Sequence, residues 1–212
     1  MDEERSWQVI EHQRLAVADL LAGLDATQWE ADSLCAGWRV RDVAAHLTLV
    51  SLPPPARSLA ADLVRARGSF HQLNTIASRR RAEWPPHRIV AALRESAASR
   101  QIPVVSNRHN VLFDVLVHGQ DIAIPLGLDL PVPPPAAAEG ASRVWAMGWP
   151  FHAKRRLAGL RLTATDVDWA AGAGADVHGP IVALLLLLTG RTATAAPMLT
   201  GDGVSRLSSS MT

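Results

Sequence analysis

The segment 111–127, VLFDVLVHGQDIAIPLG, constrains the fold of this chain more than any other segment. Its apolar residues follow a helical period and Gly127 can end a helix, so we predict a buried helix over residues 107–126. Asp114 and His118 lie four positions apart in this run, which places them on one face with Cβ atoms about 5–6 Å apart. A carboxylate beside a core needs a partner, which is either the histidine or a metal ion.

An acid four residues before a histidine occurs three times in the chain, where about one such pair is expected by chance. The three pairs are Asp42/His46, Glu83/His87 and Asp114/His118. Two prolines stop a helix between Glu83 and His87, so these two side chains do not share a face. Asp42 opens a helix, where a carboxylate caps free N–H groups, and we interpret it as structural. The spacing of Asp114 and His118 is consistent with two interpretations: the two side chains form a salt bridge, or they bind a metal ion together.

The composition limits the classes of function. A formal net charge of +1 argues against a nucleic-acid surface, and we interpret the short basic runs 79–81 and 154–156 as solvated faces. Residues 1–8 are charged and lack an apolar stretch, so we expect no secretory signal and a cytoplasmic protein. The longest apolar run, 181–188, is far shorter than the ~20 residues of a membrane span. Cys35 is the single cysteine, which excludes an internal disulfide and a cysteine-based metal cluster. No base lies next to Cys35 in the sequence, so we do not expect it to be a nucleophile.

Helical periods also occur before the segment 111–127. The predicted helices span residues 4–24, 39–50, 56–67 after a break at three prolines, and 86–100. Residues 70–83 are polar and weakly helical, and we predict a mobile flap there. Helices with apolar faces predict a four-helix bundle, whose interior is a usual place for metal sites built from facing helices.

The proline-rich run 130–135 predicts a stiff linker between two domains. We therefore expect a four-helix bundle over residues 1–130 and a small α/β domain over residues 136–212. Within the second domain the patterns predict a helix at 136–148, a strand within 157–169, a loop marked by Gly172, Gly174 and Gly179, and a helix at 180–189.

Two motifs, CAGWRVRDVAAHL at 35–47 and FDVLVHGQDIAIPLG at 113–127, resemble the N-terminal domain of the mycothiol-dependent maleylpyruvate isomerase family. This family is a branch of the DinB-like four-helix bundles. The chain from RLTATDVDW onward is similar to the sterol-carrier-like C-terminal region that many members carry. The resemblance implies a mainly α protein: a DinB-like four-helix bundle followed by a small α/β C-terminal domain.

By the same resemblance, the metal ligands are His46, Asp114 and His118. The characterised isomerase has Glu in this acid-x3-His motif, whereas this chain has Asp, which reaches one methylene less far. Two histidines and one carboxylate with open positions form a pattern typical of catalytic zinc, and the same set can hold Fe(II) or another divalent metal. We expect zinc.

The resemblance also implies a reaction in which the metal holds the thiol of mycothiol as a thiolate. In an isomerase the thiolate adds to a cis double bond conjugated with a carbonyl, and it leaves again after rotation about the resulting single bond. In a related S-transferase the thiol stays attached. The expected substrate is a small electrophilic or unsaturated keto acid.

Two further residues are candidates for supporting roles. Arg191, after the apolar helix at 180–189, is a candidate for binding a substrate carboxylate, although a cation there also stabilises a helix C-terminus. Asp121 lies three residues after His118 and could orient a ligand imidazole, or else be an exposed acid.

A different class of function is also open. Because function depends on the site rather than on the fold, the chain could instead be a non-catalytic DinB-like protein that binds a metal or a small ligand. A carrier of apolar ligands through the C-terminal part is a third alternative. The expected partners are a small-molecule substrate and a low-molecular-weight thiol, with no nucleic acid and no membrane, and a homodimer is one assembly to consider.

Overall fold

The structure is a computed structural model that describes residues 1–102 and 106–208. The chain forms two compact units. One is Glu3–Pro131, and the other is Met1–Asp2 with Val132–Thr212, whose last four residues lie outside the described part. The predicted linker at 130–135 thus contains the change from one unit to the other.

Seven helices build the first unit over its described residues. They are α1 (Glu3–Ala22), α2 (Ala26–Glu30), α3 (Val40–Ser51), α4 (Ala56–Arg65), α5 (Phe70–Arg81), α6 (Pro86–Glu95) and α7 (Arg108–Ala123). Helix α1 packs on α6 and α7, and α3 packs on the same two helices and on α5. The four-helix bundle therefore consists of α1, α3, α6 and α7.

Helix α7 has the bounds that its sequence predicts. The side chain of Asn107 accepts a hydrogen bond from the backbone N–H of Asn110 at 3.0 Å, which caps the first turn. A short 3-10 turn, Ile124–Leu126, continues the helix to Gly127, whose φ of 64° ends it in the left-handed region. Most of its length is buried, as the apolar run indicates.

Helix α6 is shorter than predicted, because it ends at Glu95 and not near Arg100. The guanidinium of Arg14 on α1, which is only 3% exposed, lies at this end. Its Nη1 donates to the carbonyl oxygens of Ala97 at 3.0 Å and Ser99 at 2.7 Å, with Ser96 at 3.4 Å. A distant side chain thus satisfies carbonyl groups that a longer helix would have paired internally.

The prediction of a mobile flap at residues 70–83 is wrong. This segment forms α5, with Ala77 and Ser78 buried. Arg80 donates to the wholly buried carboxylate of Asp62 on α4, and Arg81 donates to the hydroxyl of Thr48 at 2.9 Å. Arg80 and Arg81 therefore take part in the packing of the bundle, whereas Arg79 is exposed as predicted.

The second unit combines short helices with a small sheet. Its elements are α8 (Pro134–Ala146), α9 (Ala153–Arg156), β1 (Leu160–Ala164), β2 (Ala170–Gly172), β3 (Ala175–Gly179), α10 (Ile181–Leu188), α11 (Thr192–Ala195) and α12 (Val204–Ser208). The strand order is β2-β1-β3, with β1 antiparallel to β2 and parallel to β3. The apolar helix α10 packs on α8 and contacts β1.

Gly172 and Gly179 belong to this sheet, although the sequence predicted a loop there, and only Gly174 lies in a connection between strands. Gly172 ends β2 and Gly179 ends β3, while Gly174 connects the two strands with a φ of 130°. A Cβ at Gly174 would lie 2.0 Å from the carbonyl oxygen of Gly159. Glycine here permits a close approach of two backbone segments, which a loop prediction from composition overlooks.

The predicted fold class, a mainly α protein with a four-helix bundle followed by a small α/β domain, is confirmed. Across the described ranges, no helix is both long enough and apolar enough to cross a bilayer.

Candidate metal centre

Helices α3 and α7 face each other and bring three candidate ligands together. His46 comes from α3, and Asp114 and His118 come from one face of α7, as their spacing requires. The Nε2 atom of His46 lies 3.7 Å from Oδ1 of Asp114, and Nε2 of His118 lies 3.5 Å from the same oxygen. The sequence pattern on α7 and a histidine from a different helix thus converge on one point.

The spacing of these atoms fits a metal ion. One ligand atom from each of the three residues lies within 4.8 Å of the others. A tetrahedral zinc ion with nitrogen and oxygen ligands at about 2.0–2.2 Å needs ligand atoms about 3.3–3.6 Å apart, and the two distances to Asp114 are close to that range. The side chains of His46, Asp114 and His118 are 12%, 26% and 17% exposed, so the centre is largely shielded and partly accessible to solvent.

The electrostatics of the centre suit a cation. Burial raises the pKa of the Asp114 carboxyl, but the charges of His118, His46 and Arg14 outweigh it, and the pKa lies below its ordinary value. Burial lowers the pKa of His118, but the charge of Asp114 and the hydrogen bond to Asp121 hold it well above its ordinary value. Asp114 is therefore ionised, and a proton on Nε2 of His118 would compete with a metal ion for that nitrogen.

In each histidine, the ring nitrogen Nδ1, which faces away from Asp114, lies within hydrogen-bond distance of another side chain. Nδ1 of His118 is 2.8 Å from Oδ2 of Asp121, and Nδ1 of His46 is 3.2 Å from the hydroxyl of Ser78. Asp121 is 0% exposed, so the alternative of an exposed acid does not hold. Partners of this kind fix the tautomer of an imidazole and direct its Nε2 toward the metal position.

Cys35 lies beside this centre, which sequence reasoning missed. Its Sγ atom is 3.1 Å from Oδ2 of Asp121 and 3.6 Å from Nδ1 of His118. The sequence shows no base flanking Cys35, because the acceptor of its thiol, Asp121, is 86 positions away along the chain. Cys35, His118 and Asp121 form a second group whose spacing could hold a metal ion.

Of the other two acid–histidine pairs, only His46 belongs to the centre. The carboxylate of Asp42 is 2% exposed and accepts hydrogen bonds from the backbone N–H and the guanidinium of Arg39 at 3.0–3.1 Å, which agrees with a structural role at the start of α3. Within the described ranges, neither candidate metal group includes Glu83 or His87.

Arg191 lies between α10 and α11 in the second unit. Its Nη1 donates to the carbonyl oxygen of Thr189 at 2.7 Å, and its backbone N–H donates to the carbonyl of Leu186 at 2.8 Å. Both bonds satisfy groups at the C-terminal end of α10, which supports the alternative of a helix-stabilising cation. Its role toward a substrate carboxylate stays a prediction.

Known proteins share this architecture. Residues 10–102 match the family model of the mycothiol maleylpyruvate isomerase N-terminal domain. Two solved structures share the fold: a histidine-to-alanine mutant of the mycothiol-dependent maleylpyruvate isomerase, with a TM-score of 0.65, and the mycothiol-dependent maleylpyruvate isomerase, with a TM-score of 0.62. Each is 13% identical to this chain, and each match covers 95% of this chain and 93% of the other. No curated protein gives a significant match.

The family resemblance predicted from the two motifs is confirmed. The matched range includes the motif at 35–47 with His46, and it ends before the motif at 113–127 with Asp114 and His118. At 13% identity the two solved structures show a common fold over nearly the whole chain.

Proposed function

We propose that this chain, whose residues 10–102 match the family model of the mycothiol maleylpyruvate isomerase N-terminal domain, is a divalent-metal- and mycothiol-dependent enzyme of isomerase or S-transferase type. Its substrate is a small electrophilic or unsaturated keto acid. The observation that carries the proposal is the convergence of His46, Asp114 and His118 within 4.8 Å in a bundle of this family.

His46, Asp114 and His118 are the proposed ligands of one divalent metal, for which zinc is the first choice. Two imidazoles and one carboxylate form a donor set found in catalytic zinc sites, and the same set accommodates Fe(II). Three protein ligands leave at least one position for a molecule from solution. A metal at this centre supplies the charge that keeps a bound thiol in its thiolate form.

The shorter acid of this chain is compatible with the proposed set of ligands. Asp has one methylene less than Glu, and the open question from sequence is whether it reaches both histidines. Oδ1 of Asp114 lies 3.5 Å and 3.7 Å from the two Nε2 atoms, which supports the assignment of Asp114 as the acidic ligand.

The surrounding residues hold the ligand atoms in place before a metal or thiol arrives. Asp121 and Ser78 orient the two imidazoles through their Nδ1 atoms, and Trp38 packs on the ring of His46 with centroids 5.6 Å apart. A preorganised set of ligands loses little side-chain freedom on binding, which favours affinity.

Binding of mycothiol should depend on the metal. We expect the zinc-loaded protein to bind mycothiol and release about one proton, because a thiol coordinated to zinc is deprotonated. The metal-free protein should show no such binding. Titration calorimetry in two buffers of different ionisation enthalpy measures both the affinity and the number of protons released.

An S-methylated mycothiol is the matched control ligand, since it keeps the sugar and acyl groups but has no proton to lose. It should bind weakly and release no proton. Equal binding of mycothiol to the metal-free and zinc-loaded proteins would contradict the proposed role of the metal.

Turnover distinguishes an enzyme from a metal-binding bundle without catalytic activity. Unsaturated keto acids and small electrophiles are incubated with zinc-loaded protein and mycothiol, and the products are analysed by mass spectrometry and absorbance. A cis-to-trans product of unchanged mass indicates an isomerase, whereas a thioether adduct indicates an S-transferase. Metal and thiol binding without any product would support the non-catalytic alternative.

Arg191 is the proposed contact for a substrate carboxylate, and its exchange for lysine tests that role. A lysine cannot reproduce the bidentate fork of a guanidinium, so Arg191→Lys should lower kcat/KM by about 10-fold with little change in Tm. If Arg191 only stabilises the end of α10, Arg191→Lys should be as active as the wild type. In that case Arg191→Ala should cost about 0.3–1 kcal/mol of stability with turnover unchanged.

A further inference from the structure

The carboxylate of Asp121 connects a cysteine to a proposed metal ligand. Asp121 is wholly buried on α7, and its Oδ2 lies 2.8 Å from Nδ1 of His118 and 3.1 Å from Sγ of Cys35. An ionised carboxylate only accepts hydrogen bonds, so the thiol and the imidazole both donate to this oxygen. The proton on Nδ1 leaves the lone pair of His118 on Nε2, the atom that faces Asp114.

The thiol is held at this carboxylate by a rigid turn, the loop of residues 33–38. The hydroxyl of Ser33 accepts from the backbone N–H of Cys35 at 3.1 Å and donates to the carbonyl of Trp38 at 2.8 Å. The N–H of Trp38 donates to the carbonyl of Cys35 at 2.9 Å, and the N–H of Leu34 donates to the carbonyl of Asp121 at 3.1 Å. The loop is thus tied to α7 at the residue whose side chain it contacts.

The same loop touches the other histidine. Trp38 packs edge-on against His46, and the rings of His46 and His118 contact each other with centroids 4.9 Å apart. The loop of residues 33–38 therefore supports both imidazoles of the proposed centre, His118 through Cys35 and Asp121, and His46 through Trp38.

We infer that Cys35 is a positioning residue of the metal centre: its thiol, bound to Asp121, holds the carboxylate where it fixes the tautomer and the direction of His118. The inference rests on the proposed function, because it assumes that Nε2 of His118 binds a metal. Cys35 itself is not a ligand of that metal in this arrangement, since it faces Nδ1, on the other side of the ring.

The affinity for Zn²⁺ alone, measured by competition with a chromophoric chelator, tests this role without thiol or substrate. Cys35→Ala removes the donor to Asp121 and should weaken Zn²⁺ binding by about 10-fold, as is usual when a partner of a ligating histidine is lost. Cys35→Ser keeps a donor of similar size and should stay within about 3-fold of the wild type. The absorption spectrum of bound Co²⁺ should change in Cys35→Ala and not in Cys35→Ser.

A double-mutant cycle tests whether Cys35 acts through Asp121. Asp121→Asn should weaken Zn²⁺ binding by about 10–100-fold, and adding Cys35→Ala to it should have little further effect. Ser78→Ala acts on the other histidine and is the matched control, so its effect should multiply with that of Cys35→Ala. The Tm of each metal-free variant shows whether it is folded.

Three results would overturn the inference: unchanged Zn²⁺ affinity in Cys35→Ala, an equal loss in Cys35→Ser, or independent effects of Cys35→Ala and Asp121→Asn. These results leave the proposed function standing, because the wild type still binds the metal. A wild type that binds no Zn²⁺ or Co²⁺ would overturn both.

Discussion

Replacing His118 with alanine should remove nearly all divalent metal from the purified protein, and His46→Ala and Asp114→Ala should do the same. Three protein ligands leave little redundancy, and loss of an outer partner of a ligand already costs about 10–100-fold in affinity. We therefore expect each ligand substitution to weaken Zn²⁺ binding by more than about 100-fold. Elemental analysis gives the metal content, and chelator competition gives the Kd.

Two variants serve as controls for this prediction. His12→Ala removes an exposed histidine of α1, and Asp42→Asn changes the carboxylate that pairs with Arg39, so both should keep a full equivalent of metal. Loss of metal in Asp42→Asn instead of Asp114→Ala would show that the wrong acid was assigned. Asp114→Glu should retain part of the metal, because glutamate keeps the carboxylate and reaches one methylene further.

Arg14→Met should destabilise the bundle by about 3 kcal/mol, the largest effect that we expect from a residue outside the proposed ligands. The guanidinium donates to carbonyl groups of Ala97 and Ser99 in a position that is only 3% exposed. Methionine fills much of the same volume but leaves these carbonyls without a charged donor, and water reaches them poorly. Urea denaturation followed by circular dichroism measures the loss.

Arg94→Met is the matched control, since Arg94 on α6 pairs with Asp19 at 2.7 Å where both side chains are about half exposed or more, at 47% and 70%. Exposed ion pairs contribute about 0–1 kcal/mol, so this variant should be nearly as stable as the wild type. If the two variants lose similar amounts of unfolding free energy, the buried position of Arg14 at the end of α6 does not contribute more to stability than an exposed ion pair.

The helices could be predicted because their signals are local. Apolar residues at helical spacing mark the buried face of α7, and Asn107 and Gly127 mark its ends. The position of Asp114 and His118 on one face follows from the same period. The two motifs around His46 and His118 were also enough to predict the family resemblance, and the family model matches residues 10–102, which include the first motif.

The predictions from sequence failed where a polar or charged side chain forms hydrogen bonds with a residue far away in the sequence. The segment 70–83, expected to be a flap, is a helix whose Arg80 pairs with the buried carboxylate of Asp62. Helix α6 ends earlier than predicted, where the guanidinium of Arg14 donates to the carbonyl oxygen of Ala97. The composition of these segments is polar, and polarity alone does not distinguish a solvated side chain from one that is paired inside the protein.

The amino-acid order specifies which residues share a helix face, because a helix period of 3.6 residues relates neighbours along the chain. It therefore specifies the pair on α7 and the mainly α class of the fold. The centre depends on packing between helices: His46 meets Asp114 and Cys35 meets Asp121 only when α3 and the loop of residues 33–38 lie against α7. Contacts of this kind join residues as far as 83–86 positions apart, and no local period encodes them.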